Sequence, residues 1–303
     1  MFKKIFFLII VLFSVQWTFA QKSKPITTVT AAGILDEKIQ NEIFNFSGKV
    51  WIYAKNLDTG KDFALRADEQ VRTASTIKLP IMAETFHQIA QGKIAWTDEI
   101  ILTKEKKQGG SGILFEFSDN TKLDLKTAVN LMIVVSDNTA TNLVLDKVGT
   151  DNVNDFMDTL GLKQTRSLRK VFGGGEAKVN SDARLKLFGL GVSSPRDMVK
   201  LLEMLEKGAV VSREASAEML AILKRQQLKD GIGRSLTDTI PSASKSGALD
   251  RLRSDVGIVY TRRGRIAMAI TVDDMLEVAY TPENPGLHLI WKLSQILQDG
   301  LGK

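Results

Sequence analysis

Between Leu123 and Val135 the apolar residues Leu125, Ala128, Val129, Met132, Ile133 and Val135 recur every three or four positions, the rhythm of a buried helix. A second run, Ala140, Leu143, Val144 and Val148, begins almost at once, so the polar triplet Ser136-Asp137-Asn138 falls at a junction between two core helices. Upstream, Arg72-Thr73-Ala74-Ser75-Thr76-Ile77-Lys78-Leu79-Pro80-Ile81-Met82 passes from small polar residues into an apolar stretch reaching Ile89, which predicts a helix opening at Ser75. Pro80 fits its first turn, where backbone N–H groups have no intrahelical acceptor. Towards the C-terminus the rhythm changes. Val256-Gly257-Ile258-Val259-Tyr260 and Ile266 to Val272 are apolar runs separated by Arg262-Arg263-Gly264, which predicts a β-hairpin of buried strands.

Both chain ends read as strand-rich and the middle as helical. The expected fold is α+β: an antiparallel sheet formed by both chain ends, packed against helices and lying beside an all-α lobe. The sheet lobe is expected from about 30–73 and 226–303 and the helical lobe over about 74–225, with the active site in the cleft between them.

The first residues belong to neither lobe. Lys3 and Lys4 precede an apolar run from Ile5 to Val15, and Thr18-Phe19-Ala20 before Gln21 reads as a small-residue cleavage site, so residues 1–20 are expected to be a secretory signal peptide. The run is shorter than the roughly 20 residues that span a bilayer, and no later segment qualifies. The mature chain, 21–303, is expected to be periplasmic or secreted, without a stable membrane anchor, and monomeric. With no cysteine it has no disulfide framework, and stability must come from a large core.

Charge and metal-ligand content remove further alternatives. The formal net charge is +6, and removing Lys3 and Lys4 leaves +4. Basic stretches such as Arg262-Arg263 have no interleaved aromatics, so no nucleic-acid partner is expected. The only two histidines, His87 and His288, lie on predicted helices, so neither a zinc hydrolase nor any other metal site is expected. No cofactor is implied.

What remains is a set of serines and lysines. Ser75 and Lys78 are three residues apart and share a helix face. Ser136-Asp137-Asn138 and Lys245-Ser246-Gly247 follow at long range. With histidine scarce and cysteine absent, a lysine must act as the base that activates a serine nucleophile. The S-x-x-K spacing alone is weak, since about one match is expected by chance in a chain of this length. Ser167 to Lys170 and Ser242 to Lys245 match as well, and Ser118-Asp119-Asn120 duplicates the S-D-N triplet in what reads as an ordinary turn. Position relative to the apolar runs separates them. Ser75 opens a helix, Ser136 sits between two core helices, and Gly247 lets a substrate approach the edge of a strand.

In this order and spacing the chain resembles the class A β-lactamases and related penicillin-recognising serine hydrolases, which carry S-x-x-K, S-D-N and K-T-G triplets. The resemblance spans about residues 32 to 300. It includes Phe46-Ser47-Gly48-Lys49-Val50 leading into a strand, Asp58-Thr59-Gly60 as a hairpin turn, Gly110-Ser111-Gly112-Ile113-Leu114, and Ser136 through Asn142. It implies that Ser75 is the acylated nucleophile, Lys78 its proton acceptor and Ser136 a proton relay to the leaving nitrogen. Asn138 would position the substrate amide and the Lys78 ammonium. Lys245, Ser246 and Gly247 would bind the substrate and its carboxylate, with Arg253 as an additional carboxylate-binding arginine. The backbone N–H groups of Ser75 and Ala248 would form the oxyanion hole.

The implied function is a class A-like serine β-lactamase acting through a Ser75 acyl-enzyme on a small β-lactam. A D-Ala-D-Ala peptidase or related penicillin-binding hydrolase with slow deacylation, acting on a peptidoglycan-like substrate, is the alternative, and a non-enzymatic penicillin sensor a third. These readings part at the deacylating base. Glu176-Ala177-Lys178-Val179-Asn180 has the glutamate and asparagine of the family's E-x-x-L-N element, which makes Glu176 the base. Anchoring the loop instead on Leu168-Arg169-Lys170 puts the glutamate position on Phe172.

Overall fold

The computed structural model describes residues 31–236 and 239–302. The expected leader and its cleavage site at Ala20-Gln21 lie outside the described residues. Among the described residues no helix is long and apolar enough to cross a membrane.

The chain opens on helix α1 (Ala31–Ile43) and then forms strands β1 (Lys49–Asn56) and β2 (Asp62–Leu65), which turn at Asp58-Thr59-Gly60. A short strand β3 (Val71–Arg72) leads through a 3-10 turn, Ala74–Ile77, into α2 (Lys78–Ala90). The predicted helix does open at Ser75, but as one tighter turn before the α-helix. Strands β4 (Glu99–Ile101) and β5 (Lys122–Asp124) pair with each other. Then come α3 (Leu125–Val134), α4 (Asn138–Val148) and α5 (Thr150–Thr159). A loop lies between β6 (Arg166–Ser167) and β7 (Gly191–Ser193) and contains one short helix, α6 (Ala183–Lys186). Helices α7 (Pro195–Glu206) and α8 (Arg213–Lys224) complete the helical part. Strands β8 (Ser242–Leu249), β9 (Leu252–Thr261) and β10 (Gly264–Asp273) return to the sheet before the last helix α9 (Pro285–Leu301).

The two chain ends meet in one five-stranded antiparallel sheet of order β2-β1-β10-β9-β8, with β8 at its edge. One face of it, including Ala243, Val256, Ile258, Ala267 and Ala269, joins the core of α2, α3, α4, α7 and α8. The other face, including Val259, Ile266, Met268, Ile270 and Val272, packs on Leu35 and Ile39 of α1 and on Leu289, Leu293 and Leu297 of α9. Burial on both faces explains why β9 and β10 read as continuous apolar runs rather than as alternation.

The α+β class and the sheet built from both chain ends are as the sequence predicts. Two local features differ. The last helix is where the reading of His288 puts one, but the first described segment is helical rather than extended, and its apolar stripe is narrow, with Leu35 and Ile39 buried. The middle also holds short strands: β3, β7 and β6 make a three-stranded sheet that supports the Ser75 turn through Thr73 N–H to Gly191 C=O at 3.0 Å.

Candidate active site

Three segments converge where β8 passes the start of α2. Gly247 is the residue that lets them do so: a Cβ there would lie 2.8 Å from the Thr73 carbonyl oxygen and 3.0 Å from the Ser75 nitrogen. The sheet edge therefore runs against the backbone of the 3-10 turn that carries Ser75, closer than any other residue type permits. Ser75 itself is half-exposed, whereas Lys78 and Lys245 are fully buried.

The two lysines meet at Ser136. Lys78 Nζ donates to the Ser136 carbonyl at 2.7 Å and to Asn138 Oδ1 at 3.0 Å, and it lies 3.2 Å from Ser136 Oγ. Lys245 Nζ donates to the same Oγ at 2.9 Å and to the Ser246 carbonyl at 2.7 Å. One hydroxyl thus bridges two buried amines. Ser75 Oγ, one turn before Lys78, is not among the hydrogen-bond partners of Nζ in this structure.

Burial is the main cause of an unusual electrostatic state. It holds Lys78 well below the ordinary lysine range, the positive charge of Lys245 lowers it further, and Asp137 pulls the other way. Burial also pushes Lys245 down to about 7, against the pull of Asp255. Asp255 is raised to about 6 by the same desolvation. Both lysine shifts run in the direction that favours the uncharged amine, which unlike the ammonium can act as a base.

Asp137 organises the opposite bank. It caps α4 by accepting from Ala140 N–H at 2.8 Å, and its other oxygen accepts from Ile113 N–H at 2.7 Å and Leu114 N–H at 2.8 Å. Gly112 leaves room for this carboxylate, since a Cβ there would sit 2.2 Å from Asp137 Oδ2. Asn138 is held at both ends, its Nδ2 donating to the Gly109 carbonyl at 2.9 Å. Three backbone positions around the site are left-handed although none is glycine: Ala74 at φ 47°, Ser136 at φ 55° and Phe172 at φ 62°. Such conformations persist only where surrounding contacts impose them.

Two expected site residues stand apart from this network. Arg253 lies directly across the ladder from Ala248. Its Nη1 donates to the carbonyls of Leu249 and Leu252, both at 2.6 Å, and Nη2 donates to the Ala279 carbonyl. Glu176 is exposed and lines an open cavity of about 630 Å³ with Arg169, Lys178, Asn180 and Lys186. The loop segment that reaches the site is Val171-Phe172. Asn142 on α4 receives the Val171 N–H at 2.8 Å and donates to its carbonyl at 3.3 Å. The Phe172 ring lies beside Gly110, where an added Cβ would be 3.4 Å from the ring and 3.5 Å from Asn138 Nδ2. Of Phe172 and Glu176, it is Phe172 that shares the surroundings of Gly110 with Asn138.

Sequence reasoning gave no role to Asp137, Asn142 or Asp255. Asn142 had a legible signal, since it lies four residues after Asn138 and so on the same helix face. Asp137 had none beyond its place in the S-D-N triplet, because its partners at 113 and 114 are non-local.

Comparison with known proteins agrees with the architecture. A β-lactamase from Sphaerobacter thermophilus shares 29% identity over 90% of this chain and 98% of that chain, with a TM-score of 0.78. PBP-A shares 24% over 88% of this chain and 95% of that chain, at 0.76, and a PBP-A variant has been solved as an acyl-enzyme complex with penicillin G. An imipenem-hydrolysing β-lactamase of Enterobacter cloacae is 24% identical over 178 residues, 58% of this chain and 58% of that protein. The model of the Beta-lactamase enzyme family matches residues 34–301. With the fold, the buried lysine pair around Ser136 and that match in hand, the chain belongs to the β-lactamase enzyme family of serine hydrolases.

Proposed function

We propose that this protein hydrolyses β-lactams in two steps through an acyl-enzyme on Ser75, and that release of the acyl group is the slow step. The observation that carries the reading is the hydroxyl of Ser136 held between Lys78 and Lys245.

In acylation, neutral Lys78 takes the proton of the Ser75 hydroxyl and Oγ forms a bond to the lactam carbonyl carbon. The resulting oxyanion lies between the N–H groups of Ser75 and Ala248, donors worth a few kcal/mol each in such sites. The C–N bond then breaks, and the Ser136 hydroxyl gives its proton to the departing nitrogen and regains one from Lys78. Lys245, in its charged form, and Ser246 receive the substrate carboxylate, while the Asn138 amide orients both the substrate amide and the Lys78 amine.

Deacylation needs a base to activate water. Phe172 beside Asn138 offers none, and Glu176 faces a different cavity. This favours a long-lived acyl-enzyme, the behaviour of a penicillin-binding hydrolase, over fast turnover. Stopped-flow mixing with a chromogenic cephalosporin is expected to give a burst of about one equivalent followed by a slow steady state. Ser75→Ala is expected to abolish both phases. Rapid turnover without a burst would overturn slow deacylation, and an inert wild-type protein would overturn the whole reading.

A further inference from the structure

Arg253 and Arg251 project from the hairpin that ends β8, and both grip the same neighbouring stretch of chain. Arg251 donates to the carbonyls of Asp274 and Met275, and Met275 N–H donates back to the Arg251 carbonyl at 3.2 Å. Arg253, 2% exposed, ties the carbonyls of Leu249 and Leu252 to that of Ala279. Its guanidinium also stacks 4.7 Å from the centre of the Tyr280 ring, whose hydroxyl donates to Asp250 at 2.8 Å. Turn 249–252 and segment 274–280 are thereby fastened together.

This fastening falls at the end of the strand that the chemistry needs. Ala248 pairs across the ladder with Arg253, and the preceding Gly247 is the residue pressed against the Ser75 backbone. An edge strand has no further strand to fix its outer side, so its last residues depend more on their inner partner and on side chains such as this one. Alternation puts Lys245 and Gly247 on the face toward the Ser75 turn and Arg253 on the other, with Ser246, Ala248 and Asp255, whose Oδ2 accepts from Ile232 N–H at 2.9 Å. What separates Arg253 from Ser246 on that face is that both its Nη atoms are taken up by backbone carbonyls.

We infer that Arg253 is a positioning residue for acylation: by clamping turn 249–252 to Ala279 it holds the Ala248 N–H at the distance from Ser75 that an oxyanion requires, and it is not the receptor of the substrate carboxylate. The inference rests on the acyl-enzyme reading above.

The test compares Arg253→Lys and Arg253→Ala with wild type, using two acyl donors: benzylpenicillin, and its methyl ester, which lacks the carboxylate. Acyl-enzyme formation is followed by intact mass, resolving the acylation rate constant from the binding constant. A positioning role predicts that both variants lose about tenfold or more in the rate constant. The loss should be equal for the two donors, with the binding constants unchanged. Loss confined to benzylpenicillin and appearing in its binding constant would overturn the inference in favour of carboxylate recognition, and so would unchanged kinetics with both donors. Hydrogen exchange of the Leu249 amide, next to the turn and paired with Leu252, is expected to quicken at least about tenfold in Arg253→Lys and reads the clamp without any substrate. Unchanged exchange would overturn the inference. If wild type forms no acyl-enzyme with either donor, the functional reading falls, while the exchange result still decides whether the clamp exists.

Discussion

The lysine pair around Ser136 and the loop between β6 and β7 are built on opposite plans. The first is buried and multiply bonded: every hydrogen-bonding partner of Lys78 Nζ comes from the S-D-N triplet, which is itself pinned to residues 109–114. The second is largely exposed, with three consecutive glycines at positive φ, Gly173, Gly174 and Gly175, and with Phe172 and Glu176 open to solvent. On the two-step reading proposed above, the groups assigned to acylation are preorganised, and among the described residues of this loop no carboxylate is held comparably for deacylation. Charge stabilisation in a dry site is effective only when its dipoles are already in place, and here that condition holds on one bank alone.

The sharpest way to break the comparison is to remove the buried base. Lys78→Met is expected to lower the acylation rate by at least about 100-fold, the scale of a positioned general base, as read by intact mass against time. Supplying the missing group should then sharpen it. Phe172→Glu is expected to raise the deacylation rate by up to about 100-fold, visible as a steady state that replaces the burst with the chromogenic cephalosporin. An unchanged slow phase would show that the side chain beside Asn138 does not reach the acyl carbonyl.

A subtler effect concerns the proton balance of the buried charges. The native pKa of Asp255, about 6, lies above its ordinary value of 3.8, so between those values the native state holds a proton that the unfolded chain has lost, and stability falls as pH rises through this window. Lys245, at about 7 against an ordinary 10.5, acts with the opposite sign: the unfolded chain binds more protons between those values, and stability rises with pH there. Asp255→Asn removes the first slope. Urea unfolding should show the variant gaining about 1–3 kcal/mol on wild type between pH 4 and pH 7, and parallel curves would contradict the assignment. The smallest expected effect is that of Glu176→Gln. Deacylation should change by less than about twofold, because the removed charge does not face the reacting atoms; a large loss measured by the same burst assay would restore Glu176 as the base.

How much of this was legible in the sequence depends on whether the determinants are local. The junction at Ser136 could be read because helical spacing is interrupted there and resumes at Ala140, and the β9–β10 hairpin because both its faces are buried. Helix α1 was missed because its stripe contributes two buried residues, too few to stand out from a polar background. Residue types and order singled out Ser75, Lys78, Ser136, Asn138 and Lys245 as candidates, but not the geometry in which they stand. Which loop residue faces Asn138 depends on the pairing of Asn142 with Val171 across 29 positions, a register that spacing alone leaves open. The surroundings of Arg253 were equally hidden, since its acceptors are backbone carbonyls and every residue has one.

Ala74 and Ser136, two of the left-handed residues around the site, also bear on how this protein responds to selection. Each conformation costs on the order of 1 kcal/mol or more relative to a relaxed backbone, and glycine would relieve most of that cost at either position. The substitutions that most readily make the fold more robust thus coincide with those that loosen the nucleophile turn or delete the shared hydroxyl. A lineage kept only for heat resistance, with no acyl donor to meet, would gain melting temperature at these positions and lose its chemistry as it did so.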